Sequence, residues 1–311
     1  MENPDQDTIN SLFEAIVTND NNASVTIEAL RSDYNLLNLK RIIEIPENAH
    51  KQAGMHVMAQ DPLDIYLHTV YHSKPKCLDL FLDMKRDHKV VSEVPKNNYT
   101  AISQFSESLG TLLIIEGGND VCWAILSNHD IALKNLKKAY SRHNLAMDIN
   151  ARTAIPASNF DLRNEDAKKH TPLDIAVMRY VAEKRADIYA DMYKEEILPS
   201  QIKEHISPIL EQFGGAGRVN AAVIDLGNEA KSNAPSTAEN IRILLNMGAK
   251  GSTAAYFPAS EGTLNNPFMG EGAFRVKSLS TFCEQNSNLF ESEQDILDQL
   301  VNSEPLIKPT L

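Results

Sequence analysis

The chain has 311 residues, 42% of them hydrophobic and 23% charged, with a formal net charge of −12. That length supplies a core for one long domain or two ordinary ones. The acidic balance argues against nucleic acid or an anionic membrane surface as the main partner, because phosphates are met by Lys and Arg.

Cys77, Cys122 and Cys283 are odd in number and widely spaced, so they form no disulfide framework and fit a reducing compartment. The opening MENPDQDTIN has no basic n-region or apolar h-region, so no Sec-type signal is expected. No apolar run approaches the roughly 20 residues that span a bilayer, so no membrane insertion is expected. The expected location is the cytosol.

Aromatics are sparse at 6%, which suits helices packed through Leu, Ile and Ala. Nearly every apolar segment has helical spacing, and the expected fold class is all-α. Leu12, Ile16 and Val17, then Val25, Ile27 and Leu30, predict two short helices about a turn at Thr18–Asn22. Leu63, Leu67, Val70 and Tyr71 predict a helix opened by Asp61-Pro62, followed by another carrying Leu78, Phe81 and Leu82. Asp61 and Thr171 are N-cap residue types, and Pro62 and Pro172 suit a first helical position. Pro-Leu-Asp-Ile is thus a helix start used twice.

A third helix pair is expected over Tyr99–His129. Ile131–Phe160 fits no pair and predicts an extra helix plus a loop, a non-repeat insertion near 131–160. A fourth pair opens at Thr171 and closes near Ser207–Gly217. A fifth runs over Arg218–Gly251, with Thr237 as a cap and Gly248 as a stop signal. Residues 1–251 thus read as one repeat domain. Residues 252–311 read as a partly irregular C-terminal tail with short helices around Leu279–Phe290 and Asp295–Val301.

Thr171-Pro172-Leu173-Asp174-Ile175-Ala176 resembles the ankyrin Thr-Pro-Leu-His-x-Ala signature, with Asp in place of His. Ile243-Leu244-Leu245-Asn246-Met247-Gly248-Ala249 resembles the ending of that repeat's outer helix, and Asp61–Ile65 is a more degenerate copy of the signature. The resemblance implies a degenerate ankyrin-like helical-repeat solenoid of about five helix pairs with insertions. It also implies a protein–protein interaction scaffold, monomeric and non-enzymatic, that needs no cofactor. Carried over residue by residue, the protein-binding positions would be Gln60, Ile65, His68 and Thr69 on the second unit. On the fourth they would be Lys168, Lys169, Ile175, Met178 and Arg179. Asp64 and Asp174 would serve hydrogen bonds within their own repeats.

The acidic stretch with Glu284, Glu291, Glu293, Asp295, Asp298 and Glu304 resembles the Glu-rich C-terminal signals of effectors exported by Dot/Icm-type type IV secretion systems. That resemblance implies a bacterial effector acting on a host protein in host cytoplasm.

The rival class is a cysteine hydrolase. Cys122-Trp123 at a helix start resembles the nucleophile turn of papain-like proteases, with His129 or His143 as the base. The plainer account is Cys122 as a small hydrophobe on the packed face of a helix. His68 and His72, spaced i, i+4 with Asp64 one turn earlier, could share a metal, but Thr69 stands where a zincin has Glu and no fourth ligand is evident. Gly214-Gly215 and Gly117-Gly118 read as turns rather than phosphate loops, since neither has the flanking residues such loops use.

Overall fold

The computed structural model describes residues 4–41, 63–88, 99–101, 114–127, 129–156, 169–194, 216–257 and 278–302. These residues are mostly helical, with short strands. The helices are α1 (Gln6–Thr18), α2 (Asp20–Leu30), α3 (Ile65–Tyr71), α4 (Pro75–His88) and α5 (Asp120–Leu126). They continue with α6 (Ala132–Arg142), α7 (Pro172–Lys194), α8 (Ala216–Asn246), α9 (Leu279–Gln285) and α10 (Gln294–Asn302). A 3₁₀ turn over Ser287–Glu293 joins the last two.

Consecutive helices pair, and the pairs pack on their neighbours in two layers. One layer runs α1 on α3, α3 on α5 and α5 on α7; the other runs α2 on α4 and α4 on α6. α7 packs along α8, which in turn meets α10. Side chains stitch the junctions. Asp20 of α2 accepts the Lys76 and Cys77 N–H groups at 3.1 and 3.2 Å, capping α4 from the preceding pair. Arg142 of α6 makes a bidentate contact with Asp79 of α4, at 2.7 Å to each oxygen.

The local starts follow the sequence to different degrees. Asn19 turns α1 into α2, its side chain accepting the Asn21 and Asn22 N–H groups. Thr171 caps α7 as expected, in a capping box: its Oγ1 accepts the Asp174 N–H at 3.2 Å, and Asp174 accepts the Thr171 N–H at 2.8 Å. The first Pro-Leu-Asp-Ile works differently. Leu63 and Asp64 form strand β2, antiparallel to β1 (Lys40–Arg41), and Asp64 caps α3 by accepting the Leu67 N–H at 2.8 Å. Asp61 and Pro62 lie outside the described residues.

Three further expectations are corrected. The third pair is α5 with α6, so Ala132–Arg142 belongs to the stack rather than to an insertion. Tyr99–Ala101 (β3) and Ile114–Gly117 (β4) are antiparallel strands, joined by β5 (Ala154–Pro156) in a three-stranded sheet ordered β3-β4-β5. α8 runs through Pro235 and Thr237, so Thr237 opens no helix; its hydroxyl bonds back to the Asn233 carbonyl at 3.3 Å. The stretch 207–215, where the fourth pair is expected to close, lies outside the described residues; α7 packs along α8.

The stop at Gly248 holds. Its φ is +83°, and the Gly248 and Ala249 N–H groups return to Leu245 and Leu244 at 2.9 Å, a Schellman motif that satisfies the last carbonyls of α8.

The described part of the C-terminal tail docks on the stack. Leu279, Phe282, Phe290, Ile296 and Leu300 join the same buried cluster as Leu12, Trp123 and Ile241. Phe290 packs against Tyr180, and Arg242 of α8 pairs with Glu293 and with Asp295 (2.9 Å).

Candidate interaction surface

The structure corrects most of the expected binding positions. Ile65, His68, Thr69, Ile175, Met178 and Arg179 are at most 5% exposed. Their helices explain why: every residue from Ile65 to Val70, from Asp120 to Leu126 and from Leu173 to Val181 is buried. A helix covered on all sides is core, not surface.

The polar members of that set have internal roles. His68 donates from Nε2 to the Arg41 carbonyl at 2.7 Å and sets its ring edge-on to Phe13. Thr69 donates to the Tyr66 carbonyl of its own helix at 2.6 Å. Arg179 donates to the Ile125 carbonyl and, at 2.9 Å, to the Ser127 carbonyl, while its Nε meets Glu183 at 2.7 Å. A cation thus closes the C-terminal end of α5, where orphan carbonyls and the helix dipole favour it. Lys169 is half-buried, and its carbonyl accepts from the Arg152 guanidinium at 3.0 Å. Gln60 and Lys168 lie outside the described residues.

Asp174 organises a second buried network. Besides the capping box, its carboxylate accepts the Ser252 N–H at 3.0 Å and the Ser252 hydroxyl at 2.5 Å, and His170 lies 3.6 Å away. Burial pushes the carboxyl pKa up, yet the neighbouring His170 imidazole and the bonds from Ser252 outweigh it and hold the group below the usual carboxylate range. The bonds of Asp174 thus reach beyond α7 to the segment after α8.

A third cluster sits between α3, α5 and α6. Asp120 accepts from the Tyr66 hydroxyl at 2.6 Å and from the Tyr140 hydroxyl. Burial first, and the nearby carboxylate second, push both phenols up, so they act as fixed donors.

Cys122 lies one helical position beyond Val121 with its N–H on Asn119, but its thiol has no access to solvent. Burial drives its pKa up, opposite to an activated nucleophile. Among the described residues no imidazole hydrogen-bonds its sulfur. His143 instead faces Asp79 and Asp83, at 3.1 and 3.2 Å.

Exposed chemistry gathers at the turns between paired helices. His72 and Lys74 are half-buried in the α3–α4 turn, and His129, Asp130 and Ile131 are exposed in the α5–α6 turn. The His72 and His129 rings have centroids 6.5 Å apart. Among the described residues no group of three His, Cys, Asp or Glu side chains is placed to hold a metal ion. Nothing local in the sequence shows that the turns carrying Lys74 and His129 become neighbours.

Compared with family models, curated proteins and solved structures, the chain matches none. Among the described residues no helix is long and apolar enough to cross a membrane.

Proposed function

We propose that the chain is a non-enzymatic protein–protein interaction scaffold, an ankyrin-like stack of degenerate helix pairs acting as a monomer. The observation that carries the proposal is the layered packing, in which each pair supplies core to the next. The Thr171–Asp174 capping box and the Schellman ending at Gly248 sit where the ankyrin resemblance puts the start and end of repeat helices. Because the inner helices are buried, recognition belongs to the exposed turns, including His129 and Ile131, and to the loop with Asn144, Leu145 and Ala146.

The acidic C-terminal stretch supports a second part of the proposal: export through a Dot/Icm-type system into a host cytosol, where the partner is a host protein. Glu284, Glu291 and Asp298 are exposed there, while Glu293 and Asp295 engage Arg242.

The cysteine-hydrolase alternative is disfavoured by the burial of Cys122. The two readings separate in one experiment. Immobilised full-length chain and its Cys122→Ala variant are exposed to eukaryotic cell lysate. The scaffold reading expects the same saturable partner on both. Retention of no partner, or a hydrolytic activity lost in Cys122→Ala, would contradict it.

A further inference from the structure

We propose that His72, Lys74 and His129 form a proton-linked recognition notch for an acidic peptide segment of a protein partner. The inference rests on the scaffold reading and names the chemistry its turns would recognise.

The notch is built on two turns locked to each other. The Ser127 hydroxyl donates to the Tyr71 carbonyl and accepts the His129 N–H at 3.0 Å. Asn135 of α6 donates to the Ser73 hydroxyl at 2.9 Å, and Arg179 holds the Ser127 carbonyl from α7. Ser73 itself has φ +53°, a left-handed conformation uncommon outside glycine and sustained here by those bonds.

On this frame stand three side chains able to carry positive charge. Among the described residues, none of the three side chains makes a hydrogen bond or ion pair. The groups facing His72 are His68 on its own helix, His129 across the junction and Lys74 in its own turn; Tyr71 adds a ring edge-on. After burial, all three charged or chargeable neighbours lower its pKa, to about 3. His129 is also lowered, by burial first and Lys74 second, with Asp130 the carboxylate acting against them. The notch is thus short of negative charge. A carboxylate entering it would supply the missing counter-charge, and the imidazoles would take up protons as it binds.

The net charge of −12 slows the approach of an acidic ligand. At physiological ionic strength screening acts within roughly 8 Å, so the local cluster governs the bound state.

The test titrates full-length protein with acetylated hexaglutamate in the presence of a chelator, following the imidazole resonances by NMR. The His72 and His129 signals should shift saturably. Affinity should be higher at pH 6 than at pH 8, because binding takes up protons. Lys74→Ala and His129→Gln, both away from the core, should each weaken binding several-fold, with unchanged melting temperature and circular dichroism. No saturable shift, equal affinity at both pH values, or variants that bind like wild type would overturn the notch. Inorganic phosphate binding as tightly as the peptide would also overturn it, by showing a free-anion site. The titration needs no partner, so its failure alongside intact partner capture removes the notch and leaves the scaffold. Peptide binding without partner capture does the reverse.

Discussion

Asp174 and Ser252 lie 78 positions apart, and the carboxylate of one accepts both the N–H and the hydroxyl of the other in full burial. The same carboxylate closes the cap of α7. Asp174→Ala would leave the Thr171 N–H and two Ser252 donors without their acceptor. Removal of a buried, hydrogen-bonded charge costs about 3–5 kcal/mol. Urea unfolding should show a loss of that order, and Asp174→Asn, which keeps an acceptor oxygen, a smaller one.

His72 makes stability depend on pH above the carboxylate range. Its folded pKa of about 3 lies below the ordinary 6.5, so the unfolded chain binds the extra proton. The contribution is fully present above pH 6.5 and is lost as pH falls towards 3. Between pH 7 and pH 4.5 the loss is about 2–3 kcal/mol. Asp174, depressed when folded, is lost only below about pH 4. Denaturant midpoints measured over pH 4.5–7 should therefore flatten in His72→Gln.

Gly251 has no room for a methyl group. A Cβ there would sit 2.4 Å from Leu279 Cδ2 and 2.7 Å from its Cβ. Gly251→Ala should push α9 away, costing about 1–3 kcal/mol as an overpacked contact. Hydrogen exchange should then speed up in α9 and α10 more than in α3.

All three cysteines are buried, and burial raises each thiol pKa. Alkylation of native protein by iodoacetamide should be slow and should accelerate sharply on unfolding. A thiol reacting quickly at pH 7 in the folded chain would revive the hydrolase.

The sequence showed a helix start when the cap and its helix were contiguous. Thr171, Pro172 and Asp174 form a complete local motif, and the structure uses all three. At Pro62 the same letters mislead, because pairing of Leu63 and Asp64 with Lys40 and Arg41 is a long-range contact that shifts the cap to Asp64. Ala132–Arg142 was legible as a helix, but not as the partner of α5. The length of α8 was hidden by Pro235, a residue that usually ends a helix. Ile65, Ile175 and Met178 failed as contact residues for a different reason: an apolar residue reads alike whether its outer face meets solvent or more protein.

Site-specific photo-crosslinking most directly tests recognition through the turns of a stacked scaffold. A photoreactive amino acid replaces His129 in one full-length protein and Val25, exposed on α2, in another, and both are irradiated in eukaryotic cell lysate. The 129 position should capture one saturable protein partner, competed away by unlabelled chain, and the 25 position should not. Capture at 25 with none at 129, or no capture at either, would contradict recognition through the turns.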